Sequence, residues 1–439
     1  MPFLVATTVF AFASGSSSVD AVTRIGRDAR WVVLILLFVA AAAWAVQRGR
    51  LLALPARVPA AAAGFLVLAL ASALWSVAPR LSAERAVSLG LLLAAALLLS
   101  VAVRGRPAGA ERLLVGLLGG AVTVALAGLL LLAVDYQRAV EPRSIEVPWR
   151  FQGFGQNPNT AALLFALGVP IALSGTLAAQ TRTRRALLAA ALALLAGSIV
   201  ASGSRGALFS AGLGSLAVVF AWRGVSRKSA LAVVALLACV GAGVGIQQIP
   251  QPAPISPPPA SSAPAQPAPK PPRYANVDDS YPLDADIGRP LPGGGEPTLR
   301  RSFFAASGRG QAWAGAIGQA AQRPLLGFGF GTEAKVFVDR YYYFIGGVPE
   351  NAYIGITLQL GIVGLLALGT LVAVLVTAGR TALAGPYRLL AGACLGAVLA
   401  GLGVAVVQSY LYSAGNIAAA TFWISAFLLP ALAAAVADG

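Results

Sequence analysis

The apolar residues of this chain gather in long blocks rather than along one face of each segment. The blocks fall near residues 2–14, 31–46, 57–76, 85–103, 113–134, 160–178, 186–202, 206–222, 229–247, 351–377, 389–409 and 415–437. Most reach the length of about 20 residues, or about 17 at the short end, that a helix needs to cross a bilayer core. The pattern predicts an all-α, polytopic integral membrane protein of about twelve transmembrane helices. The first block is short, and MPFLVATTVFAFASG also suits the apolar core of a signal peptide ending at small residues, although no basic region precedes it.

Two polar stretches between blocks are long. Residues 135–159 are polar and aromatic and lead into the sixth block; residues 248–349 form the main extramembrane feature, expected on the periplasmic side between the ninth and tenth helices. The organisation predicted is therefore helices one to nine over 1–247, the loop over 248–349 and helices ten to twelve over 350–439, acting as one catalytic unit. Residues 248–273 are a Pro/Ala/Ser tract that cannot build a packed core. Residues 274–349 regain apolar and aromatic content. Phe303, Trp313 and Ile317 recur at near-helical spacing before Pro324 and the GFGFG turn, which predicts a helix lying on the outer membrane face.

Composition agrees with this class. Hydrophobic residues make up 58% of the chain and charged ones 11%, and the mean hydropathy is +0.77, which a soluble monomer could not sustain. The chain has no histidine, and Cys239 and Cys394 both lie inside apolar blocks. A His or Cys metal site is thereby excluded. The net charge of +16 follows from topology. Arginine and lysine crowd the turns near 48–57, 104–112, 182–185, 223–228 and 380–388, where Glu111 is the acidic exception. The positive-inside rule then places those turns and both termini in the cytoplasm, and nothing calls for nucleic acid.

The midspans are almost bare of ionisable groups, whereas ion-coupled transporters place such groups near the bilayer midplane. Chemistry is therefore expected at the outer surface. One stretch there concentrates the candidates: SGRGQAWAGAIGQAAQRPLLGFGFG at 307–331, then VPENAYIGITLQLGIVG at 348–364, with Glu350 at the lip of an apolar span. A charged group at that position is costly without a partner or a task.

These two patterns, together with GFGQNPNTAALLFALGVP at 153–170 and SGSRGALFSAGLG at 202–214, resemble the O-antigen ligase and Wzy polymerase superfamily of bacterial polysaccharide assembly. The resemblance covers most of the chain. It implies an inner-membrane glycosyltransferase in which an acceptor hydroxyl attacks the anomeric carbon of a glycan carried on undecaprenyl diphosphate, with no cofactor. Arg205 and Arg309 stand where the family places arginines, and a guanidinium fork matches the oxygens of a leaving diphosphate. Fixed positive charge aimed at that leaving group contributes about 2.7–4 kcal/mol per donor in analogous sites.

Arg150, in VPWRFQGFG, is a further candidate for the diphosphate, although its neighbours Trp149 and Phe151 suit an interfacial belt. Ligases carry a histidine before the asparagine that opens the tenth helix; here the pair reads Glu350–Asn351, and Glu350 becomes the candidate base. That departure favours a polymerase, with a ligase that adds glycan to lipid A core as the alternative. A small-anion transporter and a non-enzymatic scaffold of polysaccharide export are the readings from other classes. Arg205 could also be a headgroup anchor, Arg309 the solvated face of the loop helix with Arg300 and Arg301 as competitors, and Glu350 a partner of the helix dipole. The tyrosines 341–343 suit the aromatic belt, and Asp278, Asp279, Asp284 and Asp286 a solvated loop rather than a metal site.

Overall fold

The computed structural model describes residues 1–49, 55–141, 150–222, 309–337 and 348–437. The block at 229–247, the Pro-rich tract at 248–273, the four aspartates between 278 and 286 and the tyrosines 341–343 lie outside the described residues.

The protein is an all-α membrane protein. Among the described residues, nine helices are long and apolar enough to cross a membrane. Two shorter apolar helices, α1 (Pro2–Ser14) and α9 (Arg205–Ala221), accompany them. The long helices are α2 (Asp20–Gln47), α3 (Arg57–Ala71, continued by a short turn to Leu74), α4 (Pro79–Val103), α5 (Pro107–Val134), α7 (Pro158–Ala178) and α8 (Arg182–Ser202). Three more follow the long loop: α12 (Ala352–Ala382), α13 (Arg388–Ala405) and α14 (Ala419–Ala437). The remaining elements are small: α6 (Tyr136–Ala139), a two-residue hairpin of β1 (Val140–Glu141) and β2 (Arg150–Phe151), α10 (Arg309–Ala320) and α11 (Glu333–Val336).

Three helices form the middle of the bundle. Helices α7, α13 and α14 are buried along most of their length, whereas α2 and α8 bury only a narrow stripe. Large apolar side chains elsewhere point outward, Leu74 at 89% exposure among them, as expected of a surface that faces lipid. Without a hydrophobic drive between helices, close approach depends on small residues. At the α9–α13 crossing a Cβ on Gly214 would sit 2.4 Å from the Gly396 carbonyl oxygen, and one on Gly396 would sit 2.6 Å from that of Gly214.

Helix α2 starts well before the apolar block at 31–46. Its first turns carry Asp20, Arg24, Arg27, Asp28 and Arg30, and they are held by the end of α1, where a Cβ on Gly26 would overlap the Ser14 backbone at 2.4 Å. Helix α7 starts at Pro158, two residues before the apolar block at 160–178. Asn157 caps it by accepting from the backbone N–H of Asn159 and Thr160 at 2.9 and 3.0 Å, with Pro158 in the first turn.

Helix α12 is broken. Gly361 has φ 64°, and a side chain there would overlap the Leu325 backbone at 2.2 Å. The N–H groups that lose their helical acceptors are satisfied from the loop: Ile362 donates to Pro324 O at 2.8 Å and Val363 to Leu325 O at 3.3 Å. In return Phe328 and Gly329 donate to the carbonyls of Leu358 and Gln359 at 3.1 and 2.8 Å. The Gly-rich turn is thus bonded along the break, which is how non-helical backbone is tolerated at membrane depth.

Candidate functional site

The sequence-derived candidates lie toward one end of the bundle, the end that also carries residues 135–141, 150–157 and 406–418. Arg150 opens β2 and is buried. Its guanidinium donates from Nε to Ser202 O at 2.7 Å, from Nη1 to Glu141 at 3.3 Å and from Nη2 to Asn159 Oδ1 at 3.0 Å. It therefore ties the hairpin to the capped start of α7 and to the last turn of α8. The turn that follows, Gly203–Ser204, leads into Arg205 at the start of α9; Gly203 adopts φ 61° to close α8. Arg205 is half-buried, and the adjacent Gly206 lies against Val407 of the 406–418 loop.

Arg309 begins α10. That helix turns small residues inward: Ala312, Ala316 and Ala320 are buried with Phe328, Val336, Phe337 and Leu358, while Ile317 is 57% exposed. Small side chains let α10 lie close to α12 and leave Ile317 facing outward. Trp313, one turn after Arg309, donates its indole N–H to Pro349 O at 2.9 Å. This hydrogen bond draws the start of α10 to the residue preceding Glu350. Glu350 itself is half-buried, and it is the non-glycine with positive φ (48°) among the described residues. A glutamate in that region is strained, and such strain concentrates at functional sites. Asn351 next to it caps α12 by accepting from Tyr353 N and Ile354 N at 3.0 and 3.1 Å.

A second glutamate lies deeper, and sequence reasoning passed over it. Glu333, the first residue of α11, is 6% exposed. Ser409 donates to its Oε1 at 2.7 Å; Tyr412 and Gln359 Nε2 donate to Oε2 at 2.8 and 3.1 Å. Burial pushes its carboxyl up to about 7, against the pull of the Ser409 and Tyr412 hydrogen bonds and of the Arg85 guanidinium. A signal was present, since Glu333 is a lone acid following a glycine-rich turn, as Glu350 is a lone acid preceding an apolar span.

Residues 190–369 match the family model described as O-Antigen ligase. The resemblance to the O-antigen ligase and Wzy superfamily is borne out. The matched stretch contains Arg205, Arg309, Glu333 and Glu350. A solved chain from work on "Structural coordination of polymerization and crosslinking by a peptidoglycan synthase complex" is 21% identical, covering 86% of this chain and 98% of that one with a TM-score of 0.43. No curated protein matches this chain.

Among the described residues no group of three or more His, Cys, Asp or Glu side chains could hold a metal ion. Cys394 is buried and unpaired in α13. What the loop end does offer is arginine at several points, two acids in different surroundings and a cavity lined by arginines, groups suited to an anionic ligand.

Proposed function

We propose that this protein is a glycosyltransferase of the bacterial inner membrane that transfers a glycan from undecaprenyl diphosphate to an acceptor sugar hydroxyl on the periplasmic side, as a polysaccharide polymerase of O-antigen type. Arg205 and Arg309 hold the diphosphate. Arg150, whose donors are engaged by Ser202, Glu141 and Asn159, serves that group by fixing the turn before Arg205. Glu350 takes the proton of the acceptor hydroxyl. The freed oxygen bonds to the anomeric carbon as the bond from that carbon to the diphosphate oxygen breaks, and undecaprenyl diphosphate leaves with its charge matched by the arginines. No metal enters this scheme.

The observation that carries the reading is the Trp313–Pro349 hydrogen bond, which draws the helix that begins at Arg309 to the strained residue Glu350. In topology the reading takes twelve membrane helices, both termini cytoplasmic and a large periplasmic loop between the ninth and tenth. Basic residues at the opposite end, Arg104, Arg106, Arg112, Arg182, Arg184 and Arg185 among them, support that orientation. The description of the matched family favours a second reading, a ligase that transfers the glycan to lipid A core.

The test supplies lipid-linked repeat units to the purified protein. Chain extension by wild type and its loss in Glu350→Gln and Arg309→Lys is expected. Full activity in Glu350→Gln would remove the base from this scheme, and transfer to lipid A core without chain extension would make the protein a ligase.

A further inference from the structure

At the same end of the bundle lies a cavity of about 400 Å³ that the scheme above does not use. Arg27 and Arg30 of α2 and Arg85 of α4 line it, with Ser88, Gln156 and Ser413 among the polar groups around them. The arginine at its centre is built in. The Arg30 guanidinium sits between two glycines, where a Cβ on Gly15 or Gly415 would come within 3.3 or 2.9 Å of its Nη1. That Nη1 donates to Gly415 O at 3.2 Å, and the guanidinium carbon lies 5.0 Å from the centre of the Trp31 ring. Its Nε is buried without an acceptor. Arg27 and Arg85 are its like-charged neighbours, and Asp28 is the opposite charge that acts on it. Like charges converging on a cavity, with a buried donor left over, are costly unless an anion enters.

The position of the cavity suggests which anion. The 406–418 loop separates it from Arg205: Val407 meets Gly206 at one end of that loop, and Ser413 to Asn416 line the cavity at the other. Between the cavity and Glu350 runs a continuous set of contacts. Arg85 lies against Gly331 and acts electrostatically on Glu333, Glu333 lies against Gly355, and Gly355 is one turn into the helix that Asn351 caps. We infer that the Arg27–Arg30–Arg85 cavity binds a second lipid-borne diphosphate, that of the acceptor chain. This inference rests on the reading of the protein as a polymerase, in which both substrates are diphosphate-linked, whereas a single diphosphate-linked donor serves a ligase.

The experiment measures binding of farnesyl diphosphate to the full chain in phosphatidylcholine nanodiscs, with inorganic pyrophosphate as a competitor. Wild type is expected to bind two equivalents. Arg27→Gln/Arg85→Gln, at exposed positions, should weaken one site at least tenfold, and Arg30→Gln should abolish it. Arg205→Gln/Arg309→Gln should remove the other. Pyrophosphate should compete at least tenfold less well at the first site. Two unaltered sites in both Arg27/Arg85 and Arg30 variants that retain wild-type melting would overturn the inference. A single site, lost with Arg205 and Arg309 alone, would overturn it while leaving the proposed donor site standing. A site lost only with Arg27, Arg30 and Arg85 would support it and count against the donor assignment. Equal competition by pyrophosphate would mark a site for a soluble anion and overturn the lipid assignment.

Discussion

Tyr412 donates its hydroxyl to Glu333 Oε2 at 2.8 Å. With Ser409 and Gln359 as further donors, Glu333 joins the 406–418 loop, the short helix after the glycine-rich turn and the broken helix α12 at one buried carboxyl. The geometry around both proposed substrate sites depends on those segments, so the protonation of Glu333 has consequences for the whole loop end.

Stability should fall as pH rises from about 4.5 to about 7, by way of Glu333. Folded, its carboxyl keeps the proton up to about 7; unfolded, it releases the proton near the ordinary value of 4.5. The folded state thus binds more protons between those values. The contribution is full below 4.5, declines as pH rises and is gone above about 7. The shift corresponds to on the order of 3 kcal/mol. Glu333→Gln is neutral at every pH and should abolish the slope. Thermal unfolding in detergent at pH 5, 6, 7 and 8 checks this, and parallel slopes in the two proteins would count against it.

Gly355 should not tolerate a methyl group. A Cβ there would lie 1.9 Å from the Tyr412 hydroxyl and 2.4 Å from Glu333 Oε1, so Gly355→Ala must displace one of the groups that hold the carboxyl. Gly361→Ala adds a left-handed backbone conformation, a strain of about 1–3 kcal/mol by itself. Both variants should melt earlier than wild type. Gly369→Ala, at a helix position open to space, should not.

How far these features could be read from sequence varied with their physical origin. The spans at 57–76, 113–134 and 160–178 were legible because burial in lipid requires long apolar runs. The charged first turns of α2 were not, since their helix is stabilised by contact with α1 and not by an apolar period. The face that α10 turns to its neighbours was not read from the sequence, for a related reason. Helix contacts within a membrane protein select alanine and glycine, so Ile317 points away from its neighbours. Glu333 escaped notice because its partners, Ser409 and Tyr412, lie more than seventy residues away in sequence. Nor could Arg27 and Arg30 be paired with Arg85 before the fold brought α2 beside α4.

Arg150 and Arg205 should separate in their response to the same conservative change. Arg150→Lys loses the fork that reaches Ser202, Glu141 and Asn159 together, and should lower stability by about 1.5–3 kcal/mol, the worth of a hydrogen bond to a charged group. Arg205→Lys keeps the charge on a half-buried helix start; it should leave the melting temperature close to wild type while reducing chain extension at least tenfold. Melting curves and a lipid-linked repeat-unit assay on both variants make the comparison. A drop in stability for Arg205→Lys as large as that for Arg150→Lys would assign both to architecture.

The most discriminating substitution is at Glu350, because its backbone and its carboxylate make opposite demands. Its φ of 48° is unfavourable for a glutamate and natural for a glycine. Glu350→Gly therefore relieves strain in the folded chain while adding freedom to the unfolded one, and the two effects should leave stability within about 1 kcal/mol of wild type. The carboxylate is lost altogether, and if it is the proton acceptor, chain extension should fall by about 10²–10⁴-fold, the usual contribution of a general base. Glu350→Gln should lose activity to a similar extent while keeping the strain. If Glu350→Gly retains activity, the strained conformation at the lip of α12 serves the Trp313–Pro349 contact and the start of the helix, and the proton acceptor must be sought elsewhere at this end of the bundle.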